Sequence, residues 1–150
     1  KIMTDTIGET TLRMERLIAA PPERVFDFWT NPGLLATWWG PDTFDVPEYA
    51  LDVRPGGAWR TTMRSPDGGL HTVSGVYRSI EPPRLLVFTW GWDDEQGRRG
   101  DETVVTVAFE AAPGGTRLTL TQEGFASRPQ CENHQQGWSS SFLCLTRALS

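Results

Sequence analysis

Two histidines, two cysteines and three polar residues set among apolar ones are the places where this sequence of 150 residues could do chemistry. His71 and His134 stand far apart, and no His-Glu-x-x-His, Cys-x-x-Cys or clustered His and carboxylate pattern supplies zinc ligands, so neither a metal nor any other cofactor is expected. No Gly-x-Ser-x-Gly elbow, phosphate-binding loop or dinucleotide fingerprint occurs, and the Gly-Gly pairs fall in hairpin positions. Cys131 and Cys144, on one expected helix, lie roughly 20 Å apart, too far for a disulfide. Neither has a Lys or Arg next to it to activate the thiol, so both read as buried filler.

His134 is the remaining candidate acid or base, because it precedes Trp138 by about one helical turn and shares its face. The plainer reading is a histidine at a helix start bonded to backbone or water. Three polar residues break the apolar parity of strands. Arg16 is in step with Leu12, Met14 and Ile18, Gln122 with Leu118 and Leu120, and Tyr77 with the side that carries Trp59. Each needs an internal partner or a polar ligand group, since an unsatisfied buried polar atom costs about 1–3 kcal/mol.

The elements that would position these residues follow from periodicity. Thr11–Ile18 alternates as a half-buried strand; Pro22–Trp29 and Pro32 to about Trp39 then read as two short helices, the second stopped by Gly40-Pro41. From Thr43 onward Pro and Gly turns separate six strands: Phe44–Val53, Ala58–Met63, Leu70–Ile80, Leu85–Trp92, Glu102–Glu110 and Thr116–Glu123. Short links between them imply an antiparallel meander. From about Cys131 to Leu149, Trp138, Phe142, Leu145 and Leu149 form the apolar stripe of one long helix. The fold class is α+β: a sheet of about seven strands, two short helices after the first strand, and a terminal helix burying its stripe on the sheet, all in one domain over residues 1–150.

Charge and hydropathy exclude several partners. The net charge is −5 with no run of Lys or Arg, which argues against nucleic acid and against an anionic membrane surface. Leu85-Leu86-Val87-Phe88, the longest stretch of aliphatic and aromatic residues, is far short of the roughly 20 residues of a membrane span. Lys1–Glu9 lacks a signal-peptide core, Met3 reads as a natural start with Lys1 and Ile2 as a remnant, and a cytoplasmic location follows by elimination. A homodimer is compatible with the sequence. Seven Trp and seven Phe against two Tyr make an unusually apolar aromatic set that must be buried.

Six segments in this order resemble the Hsp90 ATPase activator homologue 1-like proteins of the START-like, or helix-grip, superfamily. They are Ala20-Pro21-Pro22-Glu23-Arg24-Val25-Phe26, Thr37-Trp38-Trp39-Gly40-Pro41, Arg54-Pro55-Gly56-Gly57, Gly75-Val76-Tyr77, Gly115 to Leu120, and His134 with Gly137-Trp138. The resemblance implies a curved antiparallel sheet gripping the C-terminal helix with a pocket between them. Its superfamily spans carriers, receptors, cyclases and dioxygenase subunits, so fold alone does not fix function. The eukaryotic activator that names the family carries an additional N-terminal domain for which this chain has no room, and Hsp90 is not an expected partner.

The expected function is binding of a small, largely apolar molecule with one polar end. Arg16, Tyr77, Gln122 and His134 would hold the polar end, a carboxylate or carbonyl, within walls of Trp59, Met63, Phe88, Trp90, Trp138 and Phe142. Gly137 is expected to let the helix approach the sheet closely, and Trp38-Trp39 to form either the pocket lip or core. The alternatives are an enzyme of cyclase, dehydratase or hydrolase type using the same cavity, and a chaperone-linked interaction module.

Overall fold

The computed structural model describes residues 3–150, with side chains from Asp5 onward; Lys1 and Ile2, read above as a remnant, lie outside the described residues. Eight strands form one antiparallel sheet in the order β1-β2-β8-β7-β6-β5-β4-β3. β1 (Met3–Ile7) and β2 (Thr11–Ile18) precede α1 (Pro22–Thr30) and α2 (Pro32–Leu35), followed by β3 (Asp45–Leu51), β4 (Ala58–Arg64), β5 (Leu70–Glu81), β6 (Leu85–Asp93), β7 (Arg99–Ala112), β8 (Gly115–Glu123) and α3 (Arg128–Ala148). This is the expected α+β helix-grip architecture with one strand more. β1 had read only as a polar leader; it pairs with β2 from Met3 opposite Arg16 to Ile7 opposite Leu12. The two short helices therefore follow the second strand.

Pro22 sits in the first turn of α1, where its missing N–H would have had no helical partner anyway. Asn31 then caps α2, its side chain accepting from the N–H groups of Gly33 and Leu34 at 3.0 and 3.3 Å. The expected helix to Trp39 stops four residues early. Beyond Leu35 the chain tightens into turns that bury Trp38 and Trp39 on one side, and Gly40 at φ +92° redirects it. α3 begins three residues earlier than expected because Pro129 is tolerated in a first turn and the Gln130 side chain accepts from the Ala126 N–H at 3.1 Å.

Register shifts between Asp45 and Glu48, Tyr77 and Ser79, and Gly91 and Asp93 bend the far strands β3 to β6, as bulges do. The sheet thus curves around α3, whose backbone approaches β2 and β1 most closely. Over β4 to β6 the space beneath the helix is filled by rings. Trp29, Trp39, Trp90, Phe88 and Trp138 are all buried there, with centroid separations such as 5.1 Å for Trp90 and Trp138 and 5.9 Å for Trp29 and Trp138. Gly75 lets β5 approach β6 closely: a Cβ there would fall 1.8 Å from the Thr89 carbonyl oxygen and 2.7 Å from Trp59 Nε1, which donates to that carbonyl at 3.1 Å.

Candidate functional site

The rings do not close the space completely. A cavity of about 600 Å³ remains between the middle of α3, strands β4 to β6 and the segment Trp39–Phe44. The segment supplies Trp39, Gly40, Pro41 and Phe44; the strands supply Met63, His71, Trp90 and Trp92; the helix supplies Asn133, His134, Gly137, Trp138 and Ser141. Four indoles, a phenyl ring and a thioether thus make a wall suited to an apolar body, with Ser141 and Asn133 as polar points.

Met63, Trp90, His134 and Trp138, expected at the cavity, all line it. The others lie elsewhere. Trp59, Tyr77 and Phe88 surround a separate void of only about 10 Å³ with Trp29 and Leu86. Burial, and next to it the negative charge of Asp52, push the Tyr77 phenol well above its ordinary range, so it stays protonated. Phe142 lies behind Trp138, stacked on it at 5.7 Å.

Gln122 is fully buried behind the cavity wall rather than in it. Its Oε1 accepts from the Trp138 indole at 2.9 Å and its Nε2 donates to Thr103 Oγ1 at 2.9 Å, so the amide is satisfied internally. Arg16 points inward as parity requires, but at the β1 end of the sheet. Its guanidinium bonds both Asp5 carboxylate oxygens at 2.5 and 3.1 Å and Ser139 Oγ at 3.1 Å, while Gln135 donates to the same carboxylate at 2.7 Å. Burial raises the Asp5 pKa, yet the hydrogen bonds from Arg16 and Gln135 and the Arg16 charge outweigh it and hold the carboxyl below its usual range. The expected polar anchor for a ligand is thus a closed ion-pair cluster. β1, which supplies Asp5, is the element missing from the sequence reading.

His134 does border the cavity, but both ring nitrogens are engaged. Trp92 Nε1, which can only donate, lies 3.0 Å from Nε2, so Nε2 is the acceptor and Nδ1 carries the proton toward the Gln130 carbonyl at 2.9 Å. Burial lowers its pKa, more than the Gln130 bond raises it. The ring therefore orients Trp92 and stays neutral.

The Trp38-Trp39 pair, expected as pocket lip or core, divides between the two. Trp39 lines the cavity and donates to Thr61 Oγ1 at 2.9 Å, whereas Trp38 is core, bonded to the Phe28 carbonyl at 2.9 Å. Gly137 is not a close-approach glycine: a Cβ built there meets no atom within 4 Å, and the residue opens onto the cavity. The lip is tied to α3 by Asp42, whose N–H donates to Ser140 Oγ at 2.7 Å and whose carboxylate pairs with Arg147 at 3.3 Å. Next to it Thr43 has φ +76°, a strained conformation for a β-branched residue. In the sequence, Trp38-Trp39 and the breaker Gly40-Pro41 had marked the start of this segment, but nothing had marked Asp42 or Thr43. Among the described residues no cluster of metal-ligating side chains occurs and no helix is long and apolar enough to cross a membrane.

A family model described as Activator of Hsp90 ATPase homolog 1-like protein matches residues 19–150. The chain belongs to this family. Its fold is the START-like one, a class that commonly binds hydrophobic ligands. Similar solved structures include the AHSA1 protein of Silicibacter pomeroyi, 36% identical with a TM-score of 0.86 over 93% of this chain and 96% of that one. A Rhizobium leguminosarum protein is 30% identical, TM-score 0.80, over 97% of each chain. A Chromobacterium violaceum protein is 28% identical, TM-score 0.84, over 93% and 96%. Among curated proteins none matches the chain.

Proposed function

We propose that this protein binds a small, largely apolar molecule in the cavity between α3 and strands β4 to β6. The observation that carries the reading is the cavity itself. The neighbouring void in the same aromatic core has shrunk to about 10 Å³, and a groove of about 590 Å³ along the other side of the lip is lined in part by Asp42, Thr43 and Arg147, whereas this space of about 600 Å³ is walled by four indoles, Phe44 and Met63 with no Lys, Arg, Asp or Glu among its described lining residues. That volume lies in the range of small-molecule sites. The family's fold favours the same use.

A binding or carrier role is supported over cyclase, dehydratase or hydrolase chemistry by the state of His134, whose nitrogens are both occupied. The cysteines add no nucleophile, because burial first of all raises the pKa of each thiol. A chaperone-directed surface finds little support. The exposed large apolar side chains, Leu17, Tyr49, Leu70, Val76 and Leu143, do not come from one element.

The reading is tested by filling the cavity. Gly137→Leu adds a side chain where a Cβ meets no neighbouring atom within 4 Å. The uncharged fluorescent probe N-phenyl-1-naphthylamine should bind the native protein saturably and bind the variant at least about tenfold more weakly, with no loss of melting temperature. Equal binding by both proteins would place the probe elsewhere.

A further inference from the structure

One hydrogen bond in the cavity wall depends on a proton. Trp92 Nε1 donates to His134 Nε2 at 3.0 Å, and both side chains line the cavity. Trp39 and Trp138, in the same wall, donate instead to the Thr61 hydroxyl and the Gln122 amide, which do not titrate. His134 Nδ1 lies 2.9 Å from the Gln130 carbonyl and carries the ring's proton toward it, so a second proton must land on Nε2. Two N–H donors would then stand face to face.

Nothing around His134 is arranged to hold an imidazolium. β6 turns Trp90 and Trp92 toward it, with ring centroids 6.1 and 6.2 Å away, and Phe125, just before α3, lies at 4.8 Å. The titratable groups close to it in sequence on these elements are Asp93, next to Trp92, and Arg128, Cys131 and Glu132 in the turns of α3 that precede it. Asp42 in the lip and His71 on β5 belong to the other walls. None of these charges moves the titration of His134, which burial lowers more than the Gln130 bond raises. A charged ring here depends on water in the cavity, and an apolar occupant displaces that water.

We infer that His134 is an acid release switch for the cavity: protonation at Nε2 breaks the Trp92 bond, loosens the wall that this bond holds, and expels an uncharged ligand. The inference rests on the binding role proposed above and adds its regulation. Its sign follows from the neutral form being the one that binds. Affinity is full above the ordinary histidine value of 6.5 and is lost as the pH falls through the lowered value in the fold. A bound ligand lowers that value further, because proton and ligand compete.

The probe is N-phenyl-1-naphthylamine, which is uncharged between pH 8 and 4.5. Its affinity is measured by fluorescence across this range, while nuclear magnetic resonance follows the His134 ring in the free and the saturated protein. Affinity should fall about tenfold as the ring protonates. Saturation with the probe should lower the midpoint of the His134 titration by about one pH unit, the same tenfold seen from the proton's side and a readout that needs no variant to fold. In His134→Gln, whose Oε1 accepts from Trp92 without titrating, the ratio of affinities between pH 8 and acid should collapse to about one. His71→Gln, at the exposed rim, should keep the native ratio. The inference is overturned, with the cavity reading intact, by an affinity that stays flat while His134 titrates or by a ring that stays neutral until the protein unfolds. A pH dependence that survives His134→Gln, or vanishes with His71→Gln, overturns it equally. If the probe does not bind at pH 8, the cavity reading fails and takes the switch with it.

Discussion

Replacing Gln122 should destabilise the protein through Trp138, and the size of the effect follows from the hydrogen bonds. Gln122 is fully buried, bonded to Trp138 Nε1 at one end and Thr103 Oγ1 at the other, both at 2.9 Å. Gln122→Met keeps the shape of the side chain but strands the indole N–H. Thr103 still has the Trp90 carbonyl, at 3.4 Å, to donate to. One orphaned donor, partly offset by the added apolar burial, predicts a loss of about 2 kcal/mol. Trp138→Phe strands Gln122 Oε1 instead and also removes ring contacts, for about 3 kcal/mol. The double variant leaves neither atom stranded by the loss of its partner and should cost about 3 kcal/mol, so the pair is coupled by about 2 kcal/mol. Urea unfolding followed by far-ultraviolet circular dichroism at 25 °C measures all four proteins. Additivity within about 0.5 kcal/mol would refute the claim that these side chains form one unit.

Asp5→Asn should lower stability at pH 7, and the difference from the native protein should shrink as the pH falls. The lowered carboxylate pKa contributes stability that is present above the unfolded value of 3.8 and lost on acidification, which melting curves between pH 7 and 2.5 would reveal. His134 also has a lowered pKa, so its neutral form stabilises the fold above 6.5 and that contribution disappears as the pH drops further; His134→Gln should flatten the loss of melting temperature below this pH. Gly137→Ala should stabilise the protein by about 0.4–1 kcal/mol in urea unfolding, because α3 loses a flexible residue and the new Cβ meets open space. Asp42→Ala should leave the melting temperature nearly unchanged, since Asp42 and Arg147 are mostly exposed, but should speed probe release in stopped-flow experiments by opening the lip.

Strand parity and helical spacing carried most of the architecture because β2, β4 to β8 and α3 bury one face each, which stamps period two or 3.6 on the chain. The same rule placed Met63, Trp90, His134 and Trp138 on the face that borders the cavity. It turned Arg16 inward correctly, yet parity does not record partners. Asp5 stands on an edge strand opposite Met14, with too short and polar a stretch around it to read as a strand. Gln122 and Phe142 were likewise inward without touching the cavity, since a residue can face the core and still sit one layer behind its wall. The Trp39–Phe44 lip was least legible. Its course depends on the positive φ of Gly40 and Thr43 and on the contacts of Asp42 with Ser140 and Arg147, about a hundred residues away, and none of this leaves a periodic signal.

The most direct test of ligand binding in this cavity is an indole nitrogen–proton correlation spectrum recorded during titration with N-phenyl-1-naphthylamine. The largest shifts should fall on Trp39, Trp90, Trp92 and Trp138, which line the cavity, while Trp38 in the core and Trp59, which also borders the outer face of the sheet, stay in place. Saturating shifts confined to Trp59, or no indole shift while the probe binds, would contradict the account.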